Sequence, residues 1–178
     1  MNKNQLKQIP LIIIGSARKN SNTRYYVDKI FDEIDCKVLD LLDYQISPYN
    51  YDGKYPSSDN FYQLVEEIVY HDTLIFATPV YWYSMSGLMK NLYDRFSDLL
   101  TIQKETGKKL KNKNIILLAV GADSKLPEGF EIPFKLTAEY FGLKYLNSIY
   151  ISTNMLNSKQ DNNVEINKFK EIIKIILL

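Results

Sequence analysis

The sequence predicts an α/β protein in which an open parallel sheet is covered by helices on both faces. Short apolar runs recur along the chain, "PLIII" at 10–14, "TLIFA" at 73–77 and "NIILLAVG" at 114–121, as strands buried on both faces require. Segments with apolar residues at helical spacing separate them. Five strands alternate strictly with five helices, the pattern of parallel crossover units.

The first strand is the isoleucine run that stops at Gly15. From Asn22, the positions Tyr26, Val27, Ile30, Phe31 and Ile34 recur at helical spacing, with Ser21, Asn22 or Thr23 available as N-cap. "CKVLDL" (36–41) reads as strand two, and the polar, Pro- and Gly-punctuated stretch that follows as a loop to Asp59. A second helix, capped near Ser58 or Asp59, carries Phe61, Leu64, Val65, Ile68 and Val69 on one face. Strand three is 73–77, and after an aromatic loop Leu88, Leu92, Phe96 and Leu99 mark helix three. Strand four is 114–121, and the basic stretch "GKKLKNKN" before it reads as a solvated turn. A weaker helix with Phe130, Phe134, Thr137, Tyr140 and Phe141 ends before Gly142, a C-cap glycine. "KYLNSIYI" (144–151) is strand five, and a final helix from about Asn162 carries Val164, Ile166, Phe169, Ile172, Ile173 and Ile176.

A chain of 178 residues suits a single domain spanning 1–178. Its formal net charge of +1, from 22 basic and 21 acidic residues, provides no broad field to attract nucleic acid or an anionic membrane. Cys36 is the only cysteine, which excludes an internal disulfide or a multi-cysteine metal site and suits a reducing compartment. No apolar run approaches the roughly 20 residues that cross a bilayer. The start "MNKNQLKQIP" has no apolar export region, so a cytoplasmic protein is expected.

Ligands of open α/β sheets sit beyond the carboxyl ends of the strands, at the switch point of strand order, so three loops matter. The loop after strand one, "GSARKNSNT" (15–23), offers hydroxyls, an arginine and an asparagine at a helix N-terminus, where free amides and the dipole favour a phosphate. It has neither the Walker ending nor the dinucleotide fingerprint, which disfavours a nucleoside triphosphate or a primary dinucleotide. The loop after strand three, "PVYWYS", presents Tyr81, Trp82 and Tyr83 where polar turn residues are usual. A planar ligand with a phosphate tail could bridge the two loops; an oligomer patch at Tyr81 and Trp82 is equally open.

The motifs "GSARKNSNT" and "TPVYWYSMSGLMKNLYD" together resemble the NAD(P)H-dependent FMN reductase family of the flavodoxin-like fold. The shared positions are Gly15, Ser16, Arg18, Ser21, Asn22 and Thr23, then Pro79, Tyr81, Ser84, Gly87, Lys90, Asn91 and Asp94. The resemblance implies a doubly wound five-stranded sheet of order 2-1-3-4-5. It also implies that Ser16, Arg18, Ser21, Asn22 and Thr23 hold the FMN phosphate, and that Pro79, Val80, Tyr81, Trp82 and Tyr83 line the isoalloxazine. Gly121, Ala122 and Asp123 would close the other side of the ring. Lys90, Asn91 and Asp94 would pack and cap helix three. Relatives with an iron-sulfur cluster carry cysteines near the loop after strand two; this chain has "ISPYNYDGKY" there, and a cluster is excluded.

Other chemistry finds little support. His71, the only histidine, lies at the far end of helix two and reads as a surface or capping residue at the sheet edge opposite the ligand loops. No nucleophile elbow is present. Cys36 reads as buried, and Glu66 and Glu67 as part of an exposed helical face. Hydride transfer between nicotinamide and flavin needs stacking and alignment more than acid, base or nucleophile, so no catalytic side chain is assigned. The expectation is an FMN-dependent NAD(P)H oxidoreductase that reduces a small acceptor: a quinone, flavin, azo or nitro compound. The alternatives are a flavodoxin-like electron carrier for a protein partner and a flavin-free regulatory module. A homodimer, possibly a tetramer, is expected, with helix three and the aromatic loop at or beside the interface.

Overall fold

The computed structural model describes residues 9–154 and 159–177; the start of the chain, read above for an export signal, lies outside this range. Strand β1 (Leu11–Ile14) is wholly buried and alternates between two cores. Leu11 and Ile13 join a cluster with Phe61, Leu64, Phe76 and Leu92, while Ile12 and Ile14 join Val27, Ile30, Ile75 and Ile166 on the opposite face. Each such side chain contributes about 1.5–3 kcal/mol on burial, which explains why a strand covered on both faces carries no polar residue.

Helix α1 (Asn22–Ile30) begins where the Ser21 hydroxyl accepts the Arg24 N–H at 3.1 Å. It stops earlier than the periodicity suggests: Phe31 is its C-cap, and Ile34 packs on the same core from the following turn. Strand β2 (Lys37–Asp40) and a single 3-10 turn (Leu41–Asp43) lead to the long loop. Helix α2 (Phe61–Tyr70) buries Phe61, Leu64, Val65 and Ile68, and the Asp59 carboxylate accepts the Phe61 N–H at 3.1 Å.

Strand β3 (Thr73–Tyr81) is the main departure from the sequence reading. It does not end at Ala77 but continues through Pro79 to Tyr81, and strand β4 (Ser84–Met85) folds back on it, pairing Val80 with Met85 and Tyr81 with Ser84. Pro79 lies beyond the last β1 partner, Ala77, and stays in register with Val120 of β5, so only one edge of β3 is still paired where the proline stands. The expected aromatic loop is therefore a hairpin tip of two residues.

Helix α3 (Gly87–Arg95) starts at Ser86, whose hydroxyl accepts the Met89 N–H at 3.1 Å. The expected single third helix breaks there, and Leu99 belongs to a separate turn, α4 (Asp98–Thr101), followed by α5 (Lys104–Lys108). Strand β5 (Asn114–Gly121) occupies the expected span. Helix α6 (Ile132–Phe141) ends at Gly142, whose left-handed φ of 68° closes the helix at a position that favours glycine. Strand β6 (Lys144–Ser152) and helix α7 (Lys159–Leu177) complete the chain, α7 burying Ile166 and Ile173.

The parallel strands run in the order β2-β1-β3-β5-β6, the flavodoxin-like order expected, with β4 attached antiparallel to β3. The order reverses between β1 and β3, and both strands end at the same margin. Among the described residues no helix is long and apolar enough to cross a membrane.

Two buried polar groups correct the sequence reading. His71 caps α2 but is fully buried, not on the surface, because the chain entering β1 covers it and its Nδ1 lies 2.9 Å from the Ile9 carbonyl. Lys113, read as part of a solvated turn, is also buried and donates to the Val69 and His71 carbonyls at 2.9 and 2.7 Å, closing the C-terminus of α2. Cys36 is half-buried, and burial pushes its thiol pKa up. Glu66 is exposed as expected, whereas Glu67 is half-exposed and paired with Lys37.

Candidate functional site

Three strand ends build a cleft at the carboxyl margin of the sheet. Beyond β1, the chain turns away at Gly15 and Ser16 toward the N-terminus of α1. A Cβ on Gly15 would lie 2.9 Å from Met89 Cε, 3.0 Å from Met89 Cβ and 3.3 Å from Ser86 Oγ, so a larger residue would push Met89 and the start of α3 aside. Ser86 donates to the Gly15 carbonyl, and its own N–H reaches Thr78 Oγ1 at 3.1 Å. One buried serine therefore joins the ends of β1 and β3.

Beyond β5, Gly121 packs under Tyr150 and beside Val80. A Cβ there would lie 2.7 Å from Tyr150 Oη, and the Tyr150 hydroxyl instead donates to the Asp123 carbonyl at 2.8 Å. The Thr153 N–H and hydroxyl both reach the Gly121 carbonyl, at 2.8 and 3.2 Å. These bonds hold the exit of β5 against the exit of β6.

The resulting cleft has a volume of about 170 Å³ and is lined on one side by Ser16, Arg18, Ser21, Asn22 and Thr23, and on the other by Pro79, Val80, Tyr81, Val120, Gly121, Ala122 and Thr153. Its first side is a donor set. Ser21 already accepts the Arg24 amide, leaving the amides of Asn22 and Thr23 as first-turn donors beside the Arg18 guanidinium and the Thr23 hydroxyl. Ser16 Oγ is buried and, among the described residues, has no hydrogen-bond partner. A buried hydroxyl left unpaired costs about 1–3 kcal/mol, a cost that an anionic oxygen in the cleft would remove.

The loop is anchored from outside. Lys19 pairs with Asp43 at 2.6 Å and with the buried Asp40 at 3.2 Å, and the Asp43 hydrogen bond is the largest influence raising the Lys19 pKa. Lys19 thus points away from the cleft while Arg18 faces it. On the opposite wall, burial and then the nearby Asp123 raise the Tyr150 pKa, keeping the phenol protonated to donate. Among the described residues no group of His, Cys, Asp and Glu is placed to hold a metal ion.

Most of the residues singled out from the sequence converge here: Ser16, Arg18, Ser21, Asn22, Thr23, Pro79, Val80, Tyr81, Gly121 and Ala122 all line the cleft. Trp82, Tyr83 and Asp123 do not. Trp82 and Tyr83 form the hairpin tip at φ 48° and 65° and project outward, 92% and 68% exposed, while Asp123 contributes its carbonyl to Tyr150. The sequence reading missed Val120 and Thr153. Val120 directly precedes Gly121, and Thr153 follows the last strand, whose place beside β5 brings its carboxyl end to the same margin. Lys90 pairs with Asp94 along α3, and Asn91 donates to the Ile46 carbonyl at 2.6 Å, so these motif residues fasten the helix and the long loop.

Comparison with known proteins extends over the same region. A family model described as NADPH-dependent FMN reductase matches residues 10–157. YwqN of Bacillus subtilis, provisionally assigned as an NAD(P)H-dependent FMN-containing oxidoreductase, is 28% identical over 143 residues, covering 75% of this chain and 79% of that protein. An FMN-dependent NADPH-azoreductase of Staphylococcus aureus is 35% identical over 96 residues, 49% of this chain and 51% of the azoreductase. Among solved structures, the Trp repressor binding protein of Bacillus subtilis superposes with a TM-score of 0.71 at 23% identity, over 91% of this chain and 98% of that one. At that identity the likeness speaks for the fold.

Proposed function

Because the chain belongs to the NADPH-dependent FMN reductase family, we propose that the cleft between the ends of β1, β3 and β5 holds FMN and that 1–178 is one FMN-binding domain. The protein is an FMN-dependent NAD(P)H oxidoreductase. The observation that carries the assignment of the cleft is the unpaired, buried Ser16 hydroxyl in a loop whose other donors are Arg18, Asn22, Thr23 and a helix N-terminus. That donor set fits a phosphate monoester, and the wall from Pro79 to Tyr81 facing Gly121 and Ala122 fits a flat ring system.

When bound, FMN supplies hydride acceptance from a nicotinamide and electron delivery to a small acceptor such as a quinone, flavin, azo or nitro compound. The chain's own residues bind and orient. Ser16, Arg18, Ser21, Asn22 and Thr23 fix the phosphate end; Pro79, Val80 and Tyr81 set the plane on one side. Gly121 and Ala122 keep the other side free of side-chain bulk. The cleft's lining includes no carboxylate, imidazole or thiol, so alignment is the protein's main contribution.

Action in the cytoplasm fits the single half-buried cysteine, and assembly as a homodimer, with the third helix and the aromatic hairpin at or beside the contact, belongs to the same proposal. Titration of FMN into the purified protein, followed by flavin fluorescence, tests the site. Saturation at one FMN per chain, with riboflavin binding more weakly, supports it; no saturable change, or equal affinity for the two, contradicts it.

A further inference from the structure

The amino margin of the sheet, opposite the cleft described above, carries a second and larger cavity. Thr73, Asn114 and Lys144 begin β3, β5 and β6 there, side by side in register. Between these strand starts and the end of α2 lies a volume of about 860 Å³. Lys109, Lys111, Lys113 and Lys144 line it, against the carboxylates of Glu66 and Asp72. In a chain whose net charge is only +1, this hollow is a local concentration of positive charge.

Lysines at this margin are expected to serve helix ends, whose carbonyls point this way. That accounts for Lys113 alone, which is buried, donates to the Val69 and His71 carbonyls and lies 3.6 Å from Asp72. The end of α6 is closed without a lysine: the Gly142 and Leu143 amides donate to the Glu139 and Ala138 carbonyls, and the Asn112 amide donates to the Gly142 carbonyl at 2.8 Å. Lys108 turns to Glu105 at 2.6 Å. Lys109, Lys111 and Lys144 are exposed and form no ion pair among the described residues.

The backbone holds these three together. Asn112, at a left-handed φ of 69°, turns the chain before β5 against the start of β6, and the Lys144 amide donates to the Lys113 carbonyl at 2.8 Å. The stem of Lys111 lies along Gly142, where an added Cβ would stand 3.3 Å from its Cγ and 4.0 Å from its Cε. Like charges gathered in this way disfavour one another, and a bound polyanion reverses that.

We propose that this cavity binds a small molecule carrying two or more linked phosphate groups, with Lys109, Lys111 and Lys144 as its charged contacts and Thr106, Asn112 and Asn114 as neutral ones. A single phosphate, with a charge of about −2, would leave a lysine unanswered, whereas a di- or triphosphate meets all three. Glu66 and Asp72, on the α2 side, confine the phosphates to the lysine side. The site stands apart from hydride chemistry: at about 3.3 Å per residue, β5 sets Asn114 roughly 23 Å from Gly121. It is independent of the flavin assignment.

Isothermal titration calorimetry with inorganic triphosphate and with ATP, without divalent cations, on protein with and without saturating FMN, tests it. The expected result is saturation at one ligand per chain, with the same affinity in both states and roughly tenfold or more tighter than inorganic phosphate. Tighter binding of ATP would identify a nucleotide as the occupant, and equal binding a free polyphosphate. Lys111→Gln and Lys144→Gln should each weaken the ligand by roughly tenfold, as loss of a charge-assisted contact does, and leave FMN affinity and far-ultraviolet dichroism unchanged. Lys104→Gln, at an exposed lysine outside the cavity, should have no effect. No saturable binding, or an affinity no better than that of inorganic phosphate, overturns the proposal. So does an equal loss in Lys104→Gln, which would reduce the effect to net charge, or displacement of the ligand by FMN, which would place it in the other cleft.

Discussion

Ser86 donates through its hydroxyl to the carbonyl of Gly15, and this one bond ties the loop after β1 to the start of the helix that follows the hairpin. Ser86 Oγ also accepts the Met89 amide at 3.1 Å, so it caps α3 and positions the β1 exit at once. Ser86→Ala should lower stability by about 1 kcal/mol for the lost cap. It should also weaken FMN by several-fold, because Gly15 and Ser16 are no longer held. Ser86→Thr, which keeps the hydroxyl, should restore most of the affinity. Urea denaturation and FMN titration in the same preparations check this; a stability loss with FMN affinity intact would reduce Ser86 to a cap.

Arg18 is predicted to contribute charge-assisted bonds to the phosphate, worth about 1.5–3 kcal/mol each. Arg18→Ala should weaken FMN by roughly 10- to 100-fold and leave riboflavin binding nearly unchanged. Equal losses for both flavins would place Arg18 away from the phosphate.

The hairpin shows where sequence reasoning stopped and why. Its aromatic residues read as a loop because Pro79 and three large side chains match no strand pattern, yet β3 continues because its last residues pair with Ser84 and Met85. Trp82 and Tyr83 both adopt positive φ, a conformation for which Asn-Gly is favoured and bulky residues are strained. Trp82→Asn with Tyr83→Gly should therefore raise the stability of the flavin-free monomer by about 1–3 kcal/mol, measured by urea unfolding. A lower stability would mean that the aromatic tip packs on something within the chain.

Arg95 was legible only as one more residue of a helix, because its partners lie 36 residues earlier and three later. It is fully buried, pairs with Asp59 at 2.7 Å and Asp98 at 2.8 Å, and lies 3.5 Å from the centre of the Tyr55 ring. It pins the long loop after β2; the five parallel strands were readable from local apolar runs and their order from the family resemblance of two motifs, whereas β4 and the extension of β3 to Tyr81 were not. Long-range charge pairing leaves no local period to read. Burial alone would raise the Asp59 pKa, but hydrogen bonds from Arg95 and from the Ser47 and Phe61 amides outweigh it and hold the carboxyl below its ordinary value. A depressed carboxylate stabilises the fold above its unfolded pKa of about 3.9 and loses that contribution as pH falls through the folded value. Arg95→Met should cost about 3–5 kcal/mol at neutral pH by stranding two buried carboxylates, and that deficit should shrink in acid. Thermal unfolding across the acid range checks both signs; a deficit that grows as pH falls would contradict this assignment.

The most direct test of the function is the visible spectrum of the purified protein carrying FMN, recorded without oxygen before and after NADPH or NADH, and again after a quinone is added. The flavin band should bleach on adding at least one of the nicotinamides and return with the quinone, and Arg18→Ala protein, which should lose its FMN on gel filtration, should show neither change. A wild-type protein that retains FMN yet is bleached by neither nicotinamide would contradict it, leaving a flavin-binding protein that does not accept hydride.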